Sequence, residues 1–219
     1  TCETPMKLHY FKGTIAVAVA ITLHEAGLDF EPVNVDFPNG DQTRAPYLAV
    51  NPKGRVPALD TGKAVLTETG AILDYIAAVA PRAGLVPQNA MQAARMREAM
   101  YYLASTMHIN HAHKTRGARW ATEQSSFDDM KAKVNETMTA SADHVEKHML
   151  TGPFVLGDTF SLADPYLFVV TGWLPGDDVD LGQYPKITAF RAAMEERILG
   201  ARQLHLLGKH VENIHGLLL

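Results

Sequence analysis

The sequence predicts an α/β domain at residues 1–83, followed by an all-helical domain at residues 84–219. Three observations lead to this prediction. A length of 219 residues suits two modest domains. Strand-like and helix-like segments alternate only before residue 84. After that point, apolar residues recur at the three- and four-residue spacing of amphipathic helices. Residues 1–5 fit neither pattern and are predicted to be a tail.

The composition is that of an ordinary globular protein. Apolar residues make up 47% of the chain and charged residues 20%, which is enough to form a core. The 20 basic residues are balanced by 24 acidic ones without a dense Lys/Arg run, so no nucleic-acid partner is expected. Runs of about 18 apolar residues are absent, so no membrane span is predicted. The single cysteine, Cys2, cannot form an internal disulfide, which favours a reducing compartment and predicts a cytoplasmic protein.

The first domain opens with a predicted βαβ unit. Residues 6–11 are apolar and aromatic, which indicates a strand, and residues 12–14 break that pattern. The Ala/Val/Ile run that ends at Gly27 predicts a helix. The β-branched residues at 33–35 predict a second strand, parallel to the first.

A hairpin and a helix are predicted to complete this domain. The turn at residues 51–54 leads into a strand at 55–59. Residues 61–63 fold that strand back onto a second one at 64–66. A helix over residues 68–80 follows, and the whole order is βαβ-α-ββα.

The second domain reads as a bundle of helices. Pro81, Gly84 and Pro87 mark a linker before it. The spacing of apolar residues beyond the linker then predicts four helices, at residues 90–118, 126–150, 154–174 and 187–199.

Pro57 is the first feature that points to a binding site. It follows Val56 inside a predicted strand, where proline removes a ladder hydrogen bond. A cis Val56–Pro57 bond would turn the Val56 backbone outward, so that its N–H and C=O could pair with an extended peptide ligand. An edge-strand proline without a ligand explains the dipeptide equally well.

The start of the helix at residue 68 is the second such feature. The first N–H groups of a helix have no intrahelical partner, and the helix dipole favours a bound carboxylate. Thr69 can add a hydroxyl, while Glu68 offers a carboxylate to a ligand ammonium. One α-amino-acid head group could therefore satisfy both residues. Simple helix capping by Thr67 or Thr69 is the alternative.

Taken together, these segments resemble the glutathione transferase family. The likeness is carried by KLHYFKGTIAVAVAITLHEAGLDF, NPKGRVPAL and TETGAILDYIA in the first domain, and by FVLGDTFSLADPYLFVVTGWL in the second. It extends over roughly residues 6–208 and is closest to the bacterial beta class. Ser161 and Asp164, which are spaced as a capping box, have a structural role in both readings.

The resemblance implies a thioredoxin-like first domain that binds glutathione as a co-substrate, with no permanently bound cofactor or metal. It implies that Val56 pairs with the cysteinyl backbone of glutathione and that Pro57 is the cis proline. Glu68 and Thr69 would hold the γ-glutamyl end, and Arg55 is placed with this binding set. The implied partners are a small hydrophobic electrophile or a peroxide, and a second copy of the chain in a homodimer.

The residue that activates the sulfur is not obvious. The beta-class cysteine corresponds to Ile15, and a lysine near the glycyl end of glutathione corresponds to Asn39 or Gly40. Lowering a thiol pKa by two units requires about 2.7 kcal/mol, which one hydrogen bond to a charged group, worth about 1.5–3 kcal/mol, can supply. Thr14 is the first candidate and Tyr10 the second. Their alternative roles are a helix N-cap and a half-buried strand aromatic, respectively.

His108 aligns with a histidine that the beta class places beside the glutathione sulfur. Without the resemblance, a surface or packing role is the simpler interpretation. His108 and His111 are spaced to share a helix face, whereas His113 is not, so a zinc site is not predicted.

Two functions of different kinds remain open. The first is a transferase that activates the glutathione thiol for attack on an electrophile. The second is a non-catalytic binding protein with the same fold, an alternative that Ile15 keeps open. A disulfide reductase would need a reactive cysteine in the first domain, and Cys2 lies in the tail.

Overall fold

The computed structural model describes residues 5–205, and the side chains of residues 5–198. The described residues form two compact units, the first made of residues 5–85 with 196–205 and the second of residues 86–195. Cys2 and most of the predicted tail lie outside the described residues. None of the helices in the described part of the chain combines the length and the apolar character needed to cross a membrane.

The first unit is built on a four-stranded mixed sheet. Its strands are β1 (Met6–Tyr10), β2 (Phe30–Asn34), β3 (Ala58–Asp60) and β4 (Val65–Thr67). They lie in the order β2-β1-β3-β4. The first two strands pair in parallel and the last two form an antiparallel hairpin, which confirms both predicted pairings.

Three helices accompany the sheet, and the order of all seven elements confirms the predicted βαβ-α-ββα arrangement. They are α1 (Ala16–Glu25), α2 (Ala45–Leu48) and α3 (Thr69–Val79). Helix α1 is buried from residue 16 to residue 23, because this segment is almost entirely apolar. It contacts both β1 and α3. The core of this unit therefore lies between the sheet and these two helices.

The hairpin strands begin later than the sequence suggested. Strand β3 starts at Ala58 rather than at residue 55, so Pro57 precedes the strand instead of interrupting it. Proline has no N–H for a ladder bond, which accounts for this start. Strand β4 starts at Val65 because Ala64 belongs to the turn, where its carbonyl accepts a hydrogen bond from Thr61 N–H.

The second unit is built mainly of helices. Its helices are α4 (Ala90–Tyr102), α5 (His108–Ala112), α6 (Gln124–His144), α7 (Ala163–Thr171) and the first part of α8 (Pro185–His205). A π-helical segment, Leu103–Met107, joins α4 to α5, and a second one follows α6 at Val145–Met149. The Asn89 side chain begins α4 by accepting hydrogen bonds from two backbone N–H groups of its first turn.

One helix was predicted to be about twice as long as the helix observed. Residues 154–174 were expected to be helical, but α7 begins only at Ala163. The preceding residues form tight β-bridges around Gly157, whose φ is +73°. The buried Asp164 carboxylate accepts hydrogen bonds from the N–H and the hydroxyl of Ser161 and from Val155 N–H. The Asp164 carboxylate therefore serves the Ser161 N–H, as the spacing predicted. The other half of the capping box does not form, because the Ser161 hydroxyl bonds the carboxylate and Asp164 N–H donates to the Ser161 carbonyl.

Candidate functional site

The predicted glutathione-binding segments meet at one edge of the sheet. His9 lies opposite Ala58, so the carboxyl end of β1 faces the amino end of β3. Ala58 also lies opposite Thr67, which puts the carboxyl end of β4 at the same edge. The chain segments that hold Tyr10, Val56 and Glu68 therefore converge there. In sheets of this kind, ligands bind outside the carboxyl ends of strands.

The backbone of Val56 is available for pairing. The Val56–Pro57 peptide bond is cis, which confirms the prediction. Pro57 is buried and Val56 half-buried. Among the described backbone and the side chains of residues 5–198, no hydrogen bond joins the N–H or the C=O of Val56 to another residue. A backbone N–H and C=O that lack hydrogen-bond partners can bind the main chain of an extended peptide.

The peptide group that precedes Val56 is held from one side. The phenol of Tyr47 and the amide of Asn51 both donate to the Arg55 carbonyl, each at 2.6 Å. The Arg55–Val56 peptide is planar and trans, so the Val56 N–H points away from these two donors. Its direction is thereby fixed before any ligand binds. The Arg55 side chain itself is exposed.

Burial keeps the Tyr47 phenol in its donating form. The side chain is 7% exposed, and this burial raises the pKa of Tyr47 to about 12, against a smaller lowering effect of its contact with Asn51. Asn51 is buried as well, and its Oδ1 accepts a hydrogen bond from Lys53 N–H. Tyr47 and Asn51 thus stabilise the turn that carries Val56.

The start of α3 has an unusual backbone. Thr69 is the first residue of the helix and is buried. Glu68 precedes it with φ +70°, a conformation that residues other than glycine rarely adopt. No side chain caps this helix end, so capping by Thr67 or Thr69 is wrong. The first N–H groups of α3 therefore keep their capacity to bind a carboxylate.

Lys53 is a residue of this site that the sequence analysis missed. Its Nζ donates to Thr67 Oγ1 at 2.7 Å and to Glu68 Oε1 at 2.5 Å. The Lys53 ammonium therefore already pairs with the Glu68 carboxylate, which is predicted to bind the ammonium of a ligand. The segment around Lys53 was interpreted only as a turn, and no local pattern relates it to a helix fourteen or fifteen residues later.

The two candidates for sulfur activation differ in their hydrogen bonding. The hydroxyl of Thr14 donates to the Phe11 carbonyl at 2.6 Å, so its single hydrogen is already used. The N-cap of α1 is the buried Ile15, without a side-chain bond, so the N-cap alternative for Thr14 is wrong. Tyr10 is the last residue of β1, and its hydroxyl has no hydrogen bond to the described backbone or to the side chains of residues 5–198.

A cation lies beside the two residues that align with the beta-class lysine. The guanidinium of Arg44 donates to the Asn39 carbonyl at 2.7 Å and pairs with Asp41 at 3.1 Å. Gly40 lies between Asn39 and Asp41 with φ +75°. The positive charge that is absent at Asn39 and Gly40 is therefore present close to them, on a residue that sequence alignment did not indicate.

In the second unit, His108 is the first residue of α5 and contacts an aromatic ring. Its imidazole lies 4.9 Å from the ring of Trp173, and His111 stacks on the same indole at 4.4 Å. His113 packs instead against Trp120. The predicted pairing of His108 and His111 on one face is confirmed. No group of three metal-ligating side chains occurs among the described residues.

Comparison with known proteins gives a consistent result for both units. The sequence model of the glutathione S-transferase N-terminal domain matches residues 5–78, and that of the glutathione S-transferase C-terminal domain matches residues 120–208. The chain is 34% identical over 200 residues to glutathione S-transferase GstA of Escherichia coli O157:H7. That alignment covers 88% of this chain and 94% of the relative.

Two solved structures share the fold over nearly the whole chain. A glutathione transferase homologue from Sulfitobacter with bound glutathione has a TM-score of 0.87 and 55% identity, covering 98% of this chain and 99% of that one. A bacterial beta class glutathione S-transferase from Sphingomonas chungbukensis has a TM-score of 0.77 and 29% identity, covering 92% and 100%. These matches confirm the resemblance that the sequence motifs indicated: the chain belongs to the glutathione S-transferase family of enzymes.

Proposed function

We propose that this chain binds glutathione at the sheet edge of residues 1–83 and transfers the tripeptide to a small hydrophobic electrophile, or uses it to reduce a peroxide. The observation that carries the proposal is the unpaired, oriented backbone of Val56 at the same edge as the uncapped start of α3. The Sulfitobacter homologue, which holds glutathione at 55% identity, supports it.

In this proposal the backbone of the cysteinyl residue pairs with Val56, next to Arg55 and the cis Pro57. The γ-glutamyl carboxylate accepts from the N–H groups and the Thr69 hydroxyl at the start of α3. The γ-glutamyl ammonium binds the Glu68 carboxylate, where Lys53 now lies. Each end of this amino-acid group thereby meets a group of opposite charge or dipole.

The reaction begins with loss of the thiol proton to solvent. Tyr10 then donates a hydrogen bond to the thiolate, and Thr14 can do so only by giving up its bond to the Phe11 carbonyl. Each unit by which the thiol pKa falls requires about 1.4 kcal/mol of preferential stabilisation. The sulfur lone pair attacks the electrophilic carbon, and the leaving group departs with its bonding electrons. A group that only orients glutathione contributes through positioning rather than through bond making.

Three further parts of the proposal have no contact in the structure behind them; the first two come from the family, and the third comes from the single cysteine of the chain. His108 acts beside the sulfur, the chain forms a homodimer, and the protein works in the cytosol. The non-catalytic alternative predicts binding of glutathione without activation of its thiol, and Ile15 at the start of α1 is the feature that favours it.

A titration of the thiolate separates these functions. Ultraviolet difference spectra are recorded at increasing pH with glutathione and protein, and S-methylglutathione provides the blank. The transferase predicts that bound thiol ionises well below its ordinary pKa of about 8.5. Binding without such ionisation supports the non-catalytic alternative. Absence of binding at millimolar glutathione overturns both.

A further inference from the structure

The second unit contains a buried carboxylate that the proposed reaction does not use. The side chain of Asp177 is fully enclosed. Its Oδ2 lies 2.6 Å from Nδ1 of His111, and its Oδ1 lies 3.3 Å from Nζ of Lys114. A buried carboxylate is costly unless it is paired and hydrogen-bonded. Both oxygens of Asp177 meet that condition.

The contact with Asp177 fixes the ring of His111. A carboxylate can only accept, so Nδ1 of His111 carries the hydrogen of this contact, and the contact sets the orientation of the ring. Asp177 is held in turn by its place at the end of the 3₁₀ turn Leu174–Asp177. The amide of Asn135 also donates to the carbonyls of Asp177 and Asp178. The position of the carboxylate is therefore set by the backbone around it.

Trp173 contacts the imidazoles of both His111 and His108, so it connects the two rings. Its indole is nearly parallel to His111, with 19° between the ring planes, and tilted by 58° to His108. His108 and His111 are three residues apart and lie on one side of α5. The π-helical segment that ends at Met107 leads directly into His108, and such segments often occur at functional sites.

We propose that Asp177, His111 and Trp173 are positioning residues that hold the imidazole of His108 in one orientation. The buried carboxylate fixes His111, the stacked imidazole fixes the indole, and the indole limits the rotation of His108. The consequence for catalysis rests on the proposed function, in which His108 acts beside the glutathione sulfur. The orientation itself does not depend on that function.

The test uses the full chain with histidines labelled with ¹⁵N. The ring signals of His108 are assigned with the variant His108→Gln. In Asp177→Asn and in His111→Gln, we expect the ring signals of His108 to shift or broaden. His113→Gln and Asp178→Asn are the matched controls and leave them unchanged. Because Asp177 is buried, His111→Gln at a partly exposed position keeps the test open if Asp177→Asn does not fold.

Kinetics give the second readout. We expect kcat to fall at least tenfold in His111→Gln, while KM for glutathione changes less than twofold. His108 signals that stay unchanged in both variants overturn the proposal, even where the urea midpoint falls, because Asp177 then only stabilises the unit. A third outcome separates the two claims. If the His108 ring signals shift in Asp177→Asn and His111→Gln, the positioning is supported. If His108→Gln then leaves kcat unchanged, the proposed role of His108 in the reaction is overturned.

Discussion

The Nζ of Lys53 lies 2.5 Å from Oε1 of Glu68, so a turn and the residue before α3 are joined by an ion pair at the predicted γ-glutamyl subsite. Both side chains are exposed, and exposed pairs of this kind contribute about 0–1 kcal/mol. The pair is therefore weak enough to be exchanged for a ligand ammonium.

Removing the Glu68 carboxylate tests the ammonium contact. A hydrogen bond to a charged group is worth about 1.5–3 kcal/mol. We therefore expect Glu68→Gln to raise the Kd for glutathione at least tenfold, as measured by calorimetry. Deaminated glutathione, which lacks the α-amino group, should bind wild type and variant alike. Equal weakening of both ligands would show that Glu68 acts on the backbone instead.

Removing the Lys53 ammonium has the opposite expected effect. Lys53→Met frees the Glu68 carboxylate, so glutathione should bind a few-fold more tightly, up to about fivefold for 1 kcal/mol. The deaminated ligand should show no such gain. Lys63→Met, in the exposed hairpin turn, serves as the matched control. Weaker binding to Lys53→Met would mean that this lysine contacts glutathione directly.

Tyr47 is predicted to stabilise the turn that carries Val56. A neutral hydrogen bond contributes about 0.5–1.5 kcal/mol, so Tyr47→Phe should lower the free energy of unfolding by about 1 kcal/mol at pH 7. Urea denaturation measures this change. The control is Tyr75→Phe, because the half-buried Tyr75 phenol makes no hydrogen bond to any side chain or backbone group that the structure describes. An equal loss in both variants would contradict a specific role of Tyr47.

The burial of the Tyr47 phenol predicts a dependence of stability on high pH. The pKa of Tyr47 is raised from 10.0 to about 12, so the folded protein holds the phenol proton more tightly than the unfolded chain. Its stabilisation is complete below about pH 10 and is lost as the pH rises towards 12. The difference in unfolding free energy between wild type and Tyr47→Phe should shrink over that interval. A constant difference would contradict the raised pKa.

The sulfur-activating residue can be identified by two conservative variants. We expect Tyr10→Phe to raise the pKa of bound glutathione thiol by about one to two units, the effect of one lost hydrogen bond to a charged group. Thr14→Val should change it less, because the Thr14 hydrogen is already donated to Phe11. The affinity for S-methylglutathione should stay constant in both. The reverse order would restore Thr14 as the first candidate.

Arg44 is predicted to bind the glycyl carboxylate, next to Asn39 and Gly40. Arg44→Gln should raise the Kd for glutathione about tenfold, since a hydrogen bond to a charged group is lost. γ-Glutamylcysteine lacks the glycyl carboxylate and should bind wild type and variant equally. Arg82→Gln, an exposed substitution in the same unit, is the control. An unchanged Kd for glutathione would exclude this contact.

The sequence predicted the elements of the first unit because each has a local pattern. The buried run of α1, the turn before β3 and the start of α3 are all read within a few residues. The helix expected at residues 154–174 was too long, since an apolar stretch alone does not show that residues around Gly157 form bridges. In this stretch the apolar residues indicate only that the segment is buried. The turn at Gly157, with its positive φ, determines that the segment forms bridges instead of a helix.

The contacts that sequence analysis missed join residues that are distant along the chain. Lys53 reaches Glu68, and Asp177 reaches His111 across 66 positions. Neither pair leaves a periodic signal, because each depends on how separate elements pack. The bond of Tyr47 could not be predicted for a related reason. Its partner is the backbone carbonyl of Arg55, and every residue has such a carbonyl. The residue type at position 55 therefore does not indicate that Tyr47 binds there.

The oriented amide of Val56 has a consequence for how this binding site tolerates sequence change. The group that we propose for recognition is main chain, so replacing the isopropyl group with another apolar one removes neither the donor nor the acceptor. The feature that matters at this position is therefore the path of the backbone rather than the chemistry of the side chain. A variant with another apolar residue at position 56 would present the same N–H and C=O to the proposed ligand.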